Sequence, residues 1–184
     1  MNFRCLISIC HTASLKAGWW DNVTEEGSVI KLALIGTEFS EAVEGVLGNF
    51  QDDKLPARKM EEVEMADAAI RICDYMGHRG YKDRVNGTAR KDALLYWGYS
   101  PSALVKVANI QPMQNDVSAA IEGRRKGDKE KEHKALENCL TGIVAYCEHY
   151  GLDLTETMEA KMTFNTIRPD HKPENRAKDG GKKF

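Results

Sequence analysis

The sequence predicts an all-α fold, and three observations carry that prediction. Apolar residues recur at helical spacing over most of the chain, proline and glycine fall between those stretches, and no segment alternates with the period of two expected of a half-buried strand. At 184 residues, the chain is long enough for one domain with a sizeable core. We expect that domain over residues 1–168 and a basic, polar, flexible tail over 169–184.

Taken in order, the first helix is predicted over about 3–16, followed by a turn at Ala17-Gly18-Trp19-Trp20-Asp21. Ser28 is the expected cap of a long helix reaching about Gly48. In that helix Ile35, Phe39, Ala42 and Val46 form a core stripe, and Leu34, Glu38 and Glu41 run beside it. Pro56 is expected to open the next helix, over about 57–77, with Val63, Ala66, Ile70 and Cys73 facing the core. Asp67, Arg71 and Asp74 run alongside, and Arg71 and Asp74 are expected to serve as salt-bridge partners.

Residues 77–101 are glycine-rich and basic (Arg79, Lys82, Arg84, Arg90, Lys91) and predict a long loop or inserted arm, with a helical turn at 92–97. Ser100-Pro101 is a helix start, and Pro112 is expected to break that helix before it resumes to about Arg125. The mixed charge over 123–134 predicts an exposed turn or helix end. A helix over about 131–150 carries Leu136, Leu140, Ile143, Cys147 and Tyr150 on one face and stops at Gly151. Asp153-x-x-Glu156 opens the last helix, which must end near Arg168 because Pro169 follows.

Two acidic pairs point to chemistry. Glu38-x-x-Glu41 and Glu64-x-x-Asp67 each have i, i+3 spacing, so each pair projects from one side of its helix. If the two helices pack antiparallel, four carboxylates converge, and such a cluster calls for a hard divalent cation such as Mg²⁺ or Mn²⁺. On the last helix Leu154 and Met158 begin an apolar face that Lys161, Asn165 and Arg168 continue. A face that turns from apolar to cationic needs anionic partners, either the acidic helices or a bound phosphate. Together the two features suit a triphosphate site, with metals and cations sharing the phosphate charge.

Composition removes other classes. A net charge of −2 carries no nucleic-acid or membrane signature. The apolar run within residues 1–10 is too short for a signal peptide or span, so a cytoplasmic protein is expected. Five cysteines without a C-x-x-C pair read as reduced core thiols. The five histidines share no ligand spacing. Glu130-x-x-His133 is the only E-x-x-H, whereas a di-iron carboxylate bundle needs two.

These segments resemble the MazG-like all-α NTP pyrophosphatases. The carrying residues are Lys31 to Glu44 and Glu61 to Asp74, which follow that family's E-x-x-E, spacer, E-x-x-D order with 22 residues between Glu41 and Glu64. Lys161-x-x-x-Asn165-x-x-Arg168 looks like the C-terminal element of the phage-type branch, and Lys16-Ala-Gly-Trp-Trp-Asp21 looks like its entrance motif. The four pieces cover about half the chain, and the resemblance says little about residues 78–150.

The resemblance implies a helical bundle forming a homodimer or homotetramer. It implies cleavage of a nucleoside triphosphate between the α- and β-phosphates, releasing monophosphate and pyrophosphate. It makes Glu38, Glu41, Glu64 and Asp67 ligands for Mg²⁺ or Mn²⁺, with Glu38 or Glu41 acting on the attacking water. Lys161, Asn165 and Arg168 would hold phosphates and sugar, and Trp20 would stack on the base or wall it in. Sanitation of the nucleotide pool and pool control in a phage are both open, the latter with a dGTP preference and a location in the host cytoplasm. The competing class is a non-catalytic helical interaction module whose acidic groove binds a basic partner.

Overall fold

In the computed structural model, which describes residues 2–82, 94–95, 102–176 and 178, the regular elements are all helices. They are α1 (Phe3–Lys16), α2 (Glu25–Gly48), α3 (Met60–His78), α4 (Ala103–Arg125), α5 (Lys129–Tyr150), α6 (Leu154–Ile167) and the short α7 (Pro173–Arg176). A 3-10 turn, Pro169–His171, joins α6 to α7. None of the described helices is long and apolar enough to cross a membrane.

α3 occupies the centre, packed against α1, α2, α5 and α6, while α4 lies against α2 and α5. α3 is therefore buried on nearly all sides, including three glutamates of its first turns, Glu61, Glu62 and Glu64. α2 and α3 run antiparallel: near the end of α2, Gly45 meets Met60 and Glu61, whereas Glu38, two turns earlier, meets Arg71. Their connector turns back through Asn49 in the left-handed region and an isolated bridge between Gln51 and Lys59. Buried Asp52 steadies it by accepting the backbone N–H groups of Lys54 and Leu55.

Gly45 makes the α2–α3 crossing possible. A Cβ there would lie 2.8 Å from the backbone nitrogen of Glu61 and 2.9 Å from Cβ of Met60. Gly45→Ala is expected to destabilise the fold by about 1–3 kcal/mol through overpacking, despite alanine's better helix propensity. A chemical-denaturation midpoint unchanged from wild type would show that the crossing tolerates a methyl group.

Several boundaries differ from the sequence expectation. α2 is capped by Thr24, whose side chain accepts the Gly27 N–H, and Ser28 is buried one turn inside. α3 begins at Met60 instead of directly after Pro56, because residues 49–59 are used to turn the chain. α4 continues through Pro112 unbroken. Pro112 costs a hydrogen bond, but Asn109, Ile110, Met113 and Val117 are buried on both sides of it, and their packing holds the helix together.

Ser102 caps α4 by accepting the Val105 N–H; the expected Ser100-Pro101 start lies outside the described residues. So do Arg84, Arg90 and Lys91, and all of the expected 92–97 turn except Leu94 and Leu95. The expected exposed turn over 123–134 holds three buried residues, Gly123, Glu132 and His133. The first half of the expected flexible tail forms the 3-10 turn and α7, held by Arg176. Its guanidinium stacks 3.6 Å from the Trp19 ring and donates to the Ala17 carbonyl at 2.7 Å. Cys10, Cys73, Cys139 and Cys147 are free and buried, and Cys5 is free and exposed.

Candidate functional site

A cleft of about 320 Å³ opens between α1, α2, α3 and α6. It collects Glu38 and Glu41 from α2, Glu64 and Asp67 from α3, and Lys161, Asn165 and Arg168 from the α6 end. Seven of the eight residues singled out in the sequence thus share one cavity.

The exception is Trp20. Its indole N–H donates to Asp74 Oδ1 at 2.7 Å, and its ring stacks on His78 at 3.8 Å. Trp19 lines the cleft instead, with His171 edge-on against it at 5.1 Å. The reason is the turn after α1, which directs the second indole into the α1–α3 interface.

The acidic pairs converge as the antiparallel packing requires. Glu38, Glu41 and Glu64 each offer an oxygen within 4.8 Å of the others. Asp67 lines the same cleft but is ion-paired with Lys161 at 2.6 Å. Lys161 is only 2% exposed, so the cation predicted to need an anion has one within the protein. Arg71 likewise holds Glu38, Nε to Oε1 at 2.5 Å, which makes it an interhelical salt bridge.

The three buried glutamates of α3 differ in how fully they are paired. Glu61 is held by Lys106 at 2.5 Å with the Tyr146 hydroxyl at 3.4 Å. Glu62 is held by Arg58 at 2.8 Å and accepts the Asp153 N–H at 3.1 Å. Glu64 is just as buried, yet its Oε2 has no hydrogen-bond partner. A buried carboxylate oxygen without a donor is costly. Burial, Asp67 and Glu38 push the Glu64 carboxyl up to about 9. Burial and Glu38 raise Glu41, and burial raises Asp67 with Lys161 opposing. Three carboxylate oxygens this close, with an unpaired oxygen on Glu64, suit a hard divalent cation, which would supply the missing positive charge.

The opposite wall is less free than the sequence implies. Arg168 is clamped by Asp170 at 3.0 and 2.6 Å and lies over the Phe164 ring. Asn165 keeps a buried Oδ1 that accepts no hydrogen bond. Asp74 organises the entrance, accepting from Ser14 at 2.8 Å and from Trp20, with His11 Nδ1 at 2.9 Å.

Sequence reasoning missed Lys31, Lys54, Trp19 and His171 as lining residues. Lys31 had a usable signal: it precedes Glu38 by seven residues, two helical turns, and so shares its face. Comparison with protein-family models, curated proteins and solved structures finds no match to this chain.

Proposed function

We propose that this protein is a metal-dependent nucleoside triphosphate diphosphohydrolase of MazG-like type. In this reading it cleaves between the α- and β-phosphates to give a monophosphate and pyrophosphate. The observation that supports it best is the Glu38–Glu41–Glu64 cluster, with its orphaned oxygen, in a cleft that also carries cations. A bound Mg²⁺ or Mn²⁺ would neutralise phosphate charge and acidify the attacking water.

The chain's own residues divide the remaining work. Arg71 fixes Glu38 as a ligand of set orientation. Glu41 is exposed to the cleft and bears no ion pair among the described residues, so it is the carboxylate suited to accept a proton from water. Lys161 holds Asp67 in place and lends the cleft floor a positive charge. Asn165 offers its unpaired acceptor to a sugar hydroxyl or base edge. Assembly as a homodimer or homotetramer belongs to the same reading and rests on the resemblance. A phage setting and dGTP preference follow from the resemblance alone.

The test is turnover of canonical and modified NTPs and dNTPs with Mg²⁺ or Mn²⁺, with products separated by ion exchange. Monophosphate plus pyrophosphate are expected, lost with EDTA and in Glu41→Gln. No turnover of any nucleotide with either metal sinks the enzyme reading and favours the helical interaction module.

A further inference from the structure

Among the described residues, Lys31 is the Lys or Arg of the cleft without a direct ion pair. Four other Lys or Arg side chains line the cavity, and each is paired: Lys54 with Asp53 at 2.9 Å, Arg71 with Glu38, Lys161 with Asp67, and Arg168 with Asp170. Among the described residues Lys31 has neither a hydrogen bond nor an ion pair. Its ammonium instead lies over two indoles, 4.5 Å from the Trp20 ring centre and 5.8 Å from that of Trp19.

The nearby carboxylate acts on it only through space. Asp74 is already committed to Trp20, Ser14 and His11. Burial brings the Lys31 ammonium down to about 8; Asp74 resists this, and Arg71 and Arg176 reinforce it. A half-buried ammonium without a direct ion pair carries a desolvation cost, and an anionic ligand would offset it. The position is also suitable. Seven residues along α2 separate Lys31 from Glu38 by about 10 Å of helix axis, so both face one elongated ligand.

We propose that Lys31 is the anion anchor of the cleft, a substrate-binding lysine that takes a terminal phosphate oxygen of a polyphosphate whose other end reaches the glutamate cluster. The choice of polyphosphate rests on the functional reading above; the need for an anion rests on Lys31 itself. As a half-buried point charge beside two indoles, the ammonium would grip a phosphate more strongly than an exposed lysine does.

The experiment titrates the intact protein with inorganic tripolyphosphate in the presence of Mn²⁺, following heat and tryptophan emission, to which Trp19, Trp20 and Trp97 contribute. Lys31→Gln is expected to bind about tenfold to a hundredfold more weakly, the range for losing one charged hydrogen bond. Lys31→Arg should stay within about threefold of wild type, and wild-type affinity should fall as pH rises through about 8.

The groups facing Lys31 that also carry charge or titrate are His11 from α1, Arg71, Asp74 and His78 from α3, and Arg176 from α7. They are common to wild type and Lys31→Arg, so the difference between the two pH profiles isolates Lys31. Lys31 is half-buried without a direct ion pair among the described residues, so Lys31→Gln should not lower the melting temperature, which checks that the variant is folded.

Equal affinity in wild type and Lys31→Gln, or no binding by wild type, overturns the proposal. Nucleotide turnover with an unchanged KM in Lys31→Gln would leave the enzyme reading standing and remove the anchor. Lys31-dependent tripolyphosphate binding without any nucleotide turnover would do the reverse.

Discussion

Glu64→Gln is expected to abolish metal-dependent turnover and, in metal-free buffer, to raise the melting temperature. The two effects have one origin. Glu64 is 3% exposed, lies beside Glu38, Glu41 and Asp67, and has an oxygen with no donor. With its carboxyl pushed up to about 9, Glu64 must take up a proton to fold at neutral pH, and Gln keeps the shape without that cost.

Under the proposed reading, the same change removes a ligand of the activating ion and lowers kcat/KM by on the order of 10³-fold, about 4 kcal/mol of transition-state stabilisation. The stability gain is about 1 kcal/mol, or roughly 3 °C for a domain of this size. Thermal melts with and without Mn²⁺ check both halves. Wild type should gain stability on adding Mn²⁺ and Glu64→Gln should gain none. Equal Mn²⁺ shifts in the two proteins, or near-normal turnover in the variant, would remove Glu64 from the metal site.

The largest purely structural effect is expected at Glu132. Only 1% exposed, it accepts from the Tyr75 hydroxyl at 2.7 Å, the Tyr81 hydroxyl at 3.0 Å, and Arg79 through Nε at 3.1 Å and Nη2 at 3.2 Å. These contacts tie α5 to the end of α3 and the chain just beyond it. Burial, reinforced by the Glu132 charge, raises the Tyr75 and Tyr81 hydroxyls, so both stay protonated as donors.

Glu132→Ala leaves the Arg79 guanidinium and two hydroxyls without their acceptor. Removing one partner of a buried ion pair typically costs about 3–5 kcal/mol, which lowers the melting temperature by roughly 10 °C. Tyr75→Phe removes a single hydrogen bond and should cost about 1 kcal/mol. Because Glu132 does not line the cleft, turnover per folded molecule should be preserved in both variants at low temperature. A Glu132→Ala melt within about 3 °C of wild type would mean that Arg79 finds another anion.

Residue by residue, local signals were legible and cross-helix partners were not. The span of α1, the end of α2 at Gly48 and the Asp153 cap of α6 agree with the sequence expectation, since each depends on side chains within a turn or two of one another. Pro112 misleads because its local cost is outweighed by burial on both flanks. Glu132 was hidden in a charge-rich stretch that reads as solvated. Its burial depends on two tyrosines and an arginine more than fifty residues away. Trp19 and Trp20 are neighbours in sequence, and only the turn that carries them decides which one lines the cleft.

The sequence by itself determined the all-helical architecture, the two acidic pairs and the apolar face of α6 that ends in Lys161. Helical periodicity and i, i+3 geometry are properties of one continuous segment, and they hold before any tertiary contact forms. Only the tertiary structure decided which charges are spent on one another. Asp67 is taken by Lys161, Glu38 by Arg71 and Arg168 by Asp170. Glu64 is left with an unsatisfied oxygen, and Lys31 has no anion among the described residues. Pairing depends on distances of a few ångströms between groups far apart in the chain, and burial sets the energy of each pair or orphan.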